Sequence, residues 1–177
     1  MTIGRKIKHY CFKRQRNKIK RERKLINLND AESIGILYDA SNEEDYNFMT
    51  KLVRDLQAEH KKVKALGYIR QKKMPAYGFP KLTFEFFNKK EFKWNFKPRQ
   101  SVIEEFINYP FDILIDLSPP DIYQTKYLSG LSKAGLIVGR FDEQWKEYYD
   151  ILIKANSGCK IDELVSHYIH YLKMLKN

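Results

Sequence analysis

Five oxygen-bearing side chains stand where chemistry could be done. Ile36-Leu-Tyr-Asp-Ala-Ser41 and Ile113-Leu-Ile-Asp-Leu-Ser118 are apolar runs that finish alike, each in Asp-x-Ser. Asp142 follows a third apolar run, Leu136–Gly139. Open α/β sheets bind ligands beyond the carboxyl ends of their strands, near the point where strand order reverses. Asp39, Ser41, Asp116, Ser118 and Asp142 would then share one rim. Two or three carboxylates there could hold Mg²⁺, a hard cation that takes oxygen ligands and phosphate. Such a rim would suit an enzyme or binder of a phosphorylated or sugar-nucleotide-type ligand. The same residues have a plainer use, since serines cap helices and aspartates favour helix N-termini electrostatically. Asp39-Ala-Ser-Asn-Glu-Glu is acidic and lacks the GxGxxG of a dinucleotide loop. The sequence therefore assigns no catalytic residue, no metal ligand set and no cofactor.

Thiol chemistry is weaker still. Cys159 opens the last amphipathic segment, which carries His167 and His170. A helix N-terminus lowers a thiol pKa, but no carboxylate can be assigned to orient either imidazole. His9 and His60 are isolated. Cys11 and Cys159 are far apart and show no metal spacing, as expected of reduced thiols in a cytoplasm.

Cations are the stronger signal. The net charge is +11 over 177 residues, and it is unevenly placed. Residues 1–24 hold Arg5, Lys6, Lys8, Lys13, Arg14, Arg16, Lys18, Lys20, Arg21, Arg23 and Lys24 against Glu22 alone. Residues 72–100 add eight Lys/Arg against Glu85 and Glu91, and the rest is mildly acidic. Among those eight are Lys89, Lys90, Lys93, Lys97 and Arg99, interleaved with Phe84, Phe86, Phe92, Trp94 and Phe96. Exposed rings beside cations can stack nucleic-acid bases; otherwise the rings pack inward and only the cations face solvent. A near-neutral domain with a basic arm points to a polyanion. RNA or the ribosome is the expected partner, with Lys89, Lys90 and Lys93 joining the arm. An anionic membrane surface or an acidic protein is the alternative. The arm has no Trp and little apolar surface past Phe12, which weighs against a membrane. No apolar run nears the roughly 20 residues of a membrane span, and no secretory signal is evident.

The elements that position these groups follow from periodicity. Ile3, Ile7, Tyr10 and Cys11 share one face of a predicted basic N-terminal helix within 1–30. Strands are expected at 33–39, 62–69, 111–118 and 136–139, and 149–154 reads as a last strand or a helix. The unalternating 111–118 run is read as central, covered by helices on both faces. Ser41 with Glu44 and Ser101 with Glu104 read as capping boxes. Tyr46, Met49, Leu52, Val53 and Leu56 make one helical face; Leu164, Val165, Tyr168, Ile169 and Leu172 make another. Alternation in 82–86 and 92–96 around Asn88-Lys-Lys reads as a β-hairpin inserted at about 80–98. The expected fold is α/β: a Rossmann-like, mostly parallel sheet over 31–177, with that hairpin and the basic helix added. Residues 33–176 hold every predicted strand and every long apolar face, so the arm should be dispensable for folding.

Asp112-Ile-Leu-Ile-Asp-Leu-Ser118, a helix, then Tyr127-Leu-Ser-Gly-Leu-Ser-Lys-Ala-Gly-Leu-Ile-Val-Gly139 resembles the acceptor half of bacterial heptosyltransferase-like glycosyltransferases. The resemblance spans about residues 33–140. It implies a sugar-type acceptor site, but such enzymes need a second, nucleotide-sugar-binding half for which 177 residues leave no room. The whole pattern is also similar to a family of small uncharacterised bacterial cytoplasmic proteins, which implies no activity. The reading carried forward is a non-enzymatic cytoplasmic RNA-binding or ribosome-associated protein.

Overall fold

A computed structural model describes residues 3–78, 83–94, 97–156 and 158–176, with α1 side chains described from Tyr10 onward. The elements run α1 (Ile3–Arg16), β1 (Ser33–Asp39), α2 (Glu43–Ala58), β2 (Lys62–Ile69) and β3 (Phe84–Asn88). They continue α3 (Ser101–Asn108), β4 (Ile113–Asp116), α4 (Tyr123–Leu131), β5 (Leu136–Arg140), β6 (Ile151–Ile153) and α5 (Ile161–Met174). The strands form one sheet in the order β3-β2-β1-β4-β5-β6. Every pairing is parallel. Chain order reverses between β1 and β4, which makes their carboxyl ends the switch point.

Period-2 alternation sorts the strand side chains onto two faces. Ile34, Ile36, Tyr38, Ile113, Ile115 and Val138 pack with α2 and α5. Leu37, Leu66, Leu114 and Ile137 pack with α1, α3 and α4. Both faces are covered, as the unalternating 111–118 run requires. The Rossmann-like α/β expectation therefore holds.

The hairpin takes a different form. Phe84–Asn88 joins the sheet edge parallel to β2, with Phe86 opposite Gly67. Phe84 and Phe86 turn to the α2/α5 face and Phe87 to the other. Beyond a 3₁₀ turn at Lys89–Glu91, Phe92 meets Pro98 in an isolated antiparallel bridge. The second expected arm is thus, among the described residues, a turn rather than a strand. Rings on both faces of β3 made edge addition the way to bury them all.

The helix starts also differ. Asn42, not Ser41, caps α2, its side chain accepting from the Asp45 amide at 2.7 Å. Gln100 precedes α3 with no side-chain cap, so Ser101 and Glu104 form no capping box. Pro119-Pro120-Asp121 makes a turn, and α4 begins only at Tyr123.

The arm proves to be tied to the domain. Phe12 is fully buried against Tyr127, Trp145 and Tyr148, at ring-centroid distances of 5.3, 5.7 and 4.8 Å. Gly130 of α4 makes this approach feasible, because a Cβ there would strike the Phe12 ring. Past Arg16 the chain leaves the helix and skirts the amino ends of the strands. The Lys24 amide bonds Gly135 O at 3.0 Å and the Leu28 amide bonds Leu172 O at 3.1 Å. Ile26 and Leu28 enter the α2/α5 core. Against the expectation that residues 1–24 are dispensable stands Phe12, which is fully buried in the core on the α3/α4 face.

Candidate functional site

At the carboxyl edge, the five rim residues do not form one open site. Asp116 and Ser118 are fully buried. One Asp116 carboxylate oxygen accepts from the Ser118 amide at 3.0 Å and from the Ser118 hydroxyl. The other accepts from Lys126 Nζ at 2.9 Å, Ser129 Oγ at 3.1 Å and Tyr149 OH at 2.6 Å. Lys126, also fully buried, donates to Ser118 O at 3.0 Å as well. Burial opposes the Asp116 charge, but Lys126 and the hydroxyl donors outweigh it and hold its pKa below the usual range. Burial, then the neighbouring Asp116 charge, pushes the Tyr149 hydroxyl well up. Every lone pair of Asp116 is spent inside the core, so it offers nothing to a metal or substrate.

Asp39 faces a different set of partners. It accepts from the Ser41 amide at 3.1 Å, from the Ser41 hydroxyl, and from Arg70 Nε at 2.6 Å. Arg70 also forks onto Asp121, at 2.7 and 3.2 Å. Asp142 accepts from the Gln144 amide at 2.8 Å and shapes its own turn. Cys159 bonds Lys160 O weakly at 3.5 Å, and its thiol is pushed up by burial and by Glu163. That is the opposite of an activated nucleophile. His167 and His170 are exposed on α5. His60 sits in the left-handed region, φ 61°, where α2 ends. Both cysteines are free thiols. No group of three or more His, Cys, Asp or Glu suited to a metal occurs among the described residues.

A cleft of about 590 Å³ does open at the switch point. Asp39, Glu44, Asp45, Asp162, Pro119, Arg140 and Lys160 line it. Burial, with the charges of Asp39, Glu44 and Asp162, raises the Asp45 pKa. Four carboxylates against two cations make this cleft poor ground for a phosphate.

The opposite situation holds on the α1 face. A groove of about 600 Å³ runs between the end of α1, the 97–98 segment and the ends of α3 and α4. Arg14, Lys18 and Lys97 line it with Gln15, Ile107 and Leu131, and Glu104 is its one acid. Its two walls share an anchor. Phe92 packs on Tyr127 at 6.2 Å and on Phe87 at 5.7 Å, while Tyr127 touches Phe12. Tyr127 OH also donates to Gln15 Oε1 at 2.8 Å. One buried aromatic cluster thus fixes the helix and the 92–98 turn relative to each other. The turn is closed by Lys93 N to Lys97 O at 2.9 Å and Arg99 N to Glu91 O at 2.7 Å.

The predicted nucleic-acid residues divide accordingly. Lys13, Arg14, Lys18, Lys20, Arg23 and Lys24 are exposed, as are Lys89, Lys90 and Lys93. Arg21 is not: its side chain is 2% exposed and it is paired with Asp150. Arg16 is partly buried beside it, and burial followed by repulsion from Arg21 and Arg23 lowers its pKa. Arg23 Nε also approaches Asp150, at 3.4 Å. The side chains of Arg5, Lys6 and Lys8 lie outside the described residues. Of the rings, Phe84, Phe86 and Phe92 pack inward, whereas Trp94 is 75% exposed. Phe96 lies outside the described residues.

Sequence reasoning missed Arg70, Lys126 and Tyr149. Arg70 had a signal, since it follows the last residue of a predicted strand and so falls on the rim. Lys126 had a fainter one: Thr125, Lys126 and Ser129 put polar groups on a helix that is buried on nearly every side. Only knowing that α4 packs this stripe onto the end of β4 makes it interior.

Fold and site together define a Rossmann-like α/β protein with a basic groove on its α1 face. The chain belongs to a family of unknown function, DUF6913, whose family model matches residues 5–175. No curated protein and no solved structure matches it. Nothing in these comparisons bears out the likeness to heptosyltransferase-like glycosyltransferases. No helix among the described residues is long and apolar enough to cross a membrane.

Proposed function

We propose that the protein is a non-enzymatic, cytoplasmic RNA-binding protein that works on RNA or on the ribosome through the groove between α1 and the 92–98 turn. The observation that carries this reading is the convergence of Arg14, Lys18 and Lys97 in one groove with a single acid. Lys20, next in the chain to the lining Ile19, and Lys93, whose amide bonds Lys97 O, are also exposed. Cations spread around a flexible tail would bind phosphates only by bringing them together first. Here the Phe12–Tyr127–Phe92 cluster holds the two walls in place beforehand, which reduces the ordering cost of binding. Phosphate neutralisation supplies affinity in such an interface. The test compares wild type with a variant carrying Arg14→Gln, Lys18→Gln, Lys20→Gln and Lys97→Gln. The variant should lose at least ten-fold in RNA affinity at low salt while keeping its melting temperature within a few degrees. Equal RNA binding by the two proteins would remove the groove from the function.

A second reading rests on the switch-point cleft, where α/β sheets bind ligands. Its carboxylates favour a small ligand carrying hydroxyls or an amine, with Arg140 as its one guanidinium. A phosphorylated or sugar-nucleotide-type ligand would need Mg²⁺ to bridge to Asp39. A ligand that binds the native state raises its melting temperature. No shift with Mg²⁺, nucleotides, nucleotide sugars, polyols or amines would leave this cleft without a function.

A further inference from the structure

We infer that the groove takes single-stranded rather than duplex RNA, with Trp94 stacking on one unpaired base. This rests on the RNA reading above and refines it. Trp94 is the most exposed large hydrophobic residue among those described, at 75%, and it lies two residues beyond the buried Phe92. The turn's feet are fastened by the Phe92–Pro98 bridge and by Phe92 packing on Phe87 and Tyr127. A ring this exposed, two residues from a buried anchor, is a stacking platform rather than a misplaced core residue. Its neighbours fit that use. Lys93 and Lys97 lie on the same turn, joined by a backbone hydrogen bond, and Lys97 is also a wall of the groove. Two residues of sequence separate Trp94 from Lys97, and three Cα–Cα steps reach at most about 11 Å. One strand can therefore lay its phosphates along Arg14, Lys18 and Lys97 and place a neighbouring base on the indole.

Duplex RNA cannot use this arrangement. Its bases are stacked on one another, and its deep major groove does not admit side chains. A membrane is a weaker fit for the same ring. The other exposed large apolar side chains among the described residues are spread over the chain, with Tyr10 on α1, Leu25 and Met74 in connecting segments, Phe141 after β5, and Tyr171 and Met174 on α5. Base stacking on aromatic rings tolerates any sequence, so the preference should be for single strands and only weakly for particular bases.

The experiment measures fluorescence anisotropy with a labelled single-stranded RNA of about 12 nucleotides, within the site sizes of single-strand modules. A duplex of the same length and a single-stranded DNA are titrated beside it. Wild type should bind the single strand more tightly than the duplex. Trp94→Ala should weaken single-strand binding about 5- to 150-fold, the range of one stacked base, with the salt slope and duplex binding unchanged. Trp94→Phe should recover most of that loss. Trp145 is buried, so quenching of the exposed tryptophan signal by RNA reports Trp94 directly. Equal affinity for duplex, or an unaltered single-strand affinity in Trp94→Ala, overturns the inference. Stronger binding to anionic vesicles than to any oligonucleotide, lost in Trp94→Ala, also overturns it, in favour of a membrane. Failure of the RNA reading itself looks different, because the four-charge variant would then bind as well as wild type.

Discussion

Replacing Phe12 by alanine tests how far the basic arm is part of the fold. The ring is fully buried and meets Tyr127, Trp145 and Tyr148 in tilted and edge-on contacts. Truncating a buried Phe to Ala destabilises by about 3–5 kcal/mol, the sum of lost transfer energy and the cavity left behind. The cavity should persist, because its walls are held by other work. Tyr127 is fixed by Gln15 and Phe92, and Trp145 by Tyr123 at 4.9 Å. The upper part of the range therefore applies. For a chain of this size each kcal/mol moves the melting temperature by about 2–4 °C, so a loss of about 4–5 kcal/mol should lower it by about 8–20 °C. Urea unfolding followed by far-ultraviolet circular dichroism gives the free energy, and a thermal scan gives the temperature. Deleting residues 1–24 should do at least as much damage. A loss under about 1 kcal/mol for Phe12→Ala would refute the docked arm and return it to the status of a solvated tail.

Other perturbations separate stability from binding. Arg21→Gln breaks the buried pair with Asp150 and should cost about 3 kcal/mol in urea unfolding, yet leave the salt dependence of RNA binding unchanged. Lys18→Gln, at an exposed groove position, should do the reverse. Lys126→Met strands the Asp116 carboxylate in the core and should destabilise by about 3–5 kcal/mol; adding Asp116→Asn should restore part of the loss, showing coupling rather than additivity. Stability should also fall in acid. Burial works against the Asp112 charge, but the Ser33 amide and hydroxyl and the Glu32 amide outweigh it, so its native pKa is depressed, as is that of Asp116. Such groups contribute fully above the unfolded carboxylate pKa of about 4 and lose their contribution as pH falls through the lower native value. Unfolding free energy should drop below about pH 4, and Asp112→Asn should flatten that drop; an equal acid slope in wild type and variant would contradict the assignment.

Most of the architecture was legible because the strands carry their own signature. Ser33–Asp39 and Lys62–Ile69 fall where the apolar runs place them, and the α5 stripe from Leu164 to Leu172 is buried as its spacing requires. β3 was read as a hairpin arm because alternation does not say whether a strand's neighbour runs parallel or antiparallel. Ser41 and Ser118 were read as rim groups or caps, but each hydroxyl instead bonds the aspartate two residues before it. The rim failed as a site for a reason no local pattern holds. Lys126 and Tyr149 are 10 and 33 residues from Asp116, and only the packing of α4 and the 149–150 segment onto β4 closes them around its carboxylate. The arm was misjudged for the converse reason. A single Phe among cations looks like a tail until the glycine opposite it, Gly130, is known to leave room for the ring.

The most direct measurement is the salt dependence of RNA affinity for the wild-type protein. Each phosphate contact on a single strand contributes a slope of about −0.7 in log affinity against log salt concentration. Arg14, Lys18 and Lys97 in the groove, with one to three of the other exposed cations, amount to about four to six contacts. The slope should therefore lie between about −3 and −4. A slope near zero, or affinity too weak to measure at low salt, would contradict the RNA reading at its foundation.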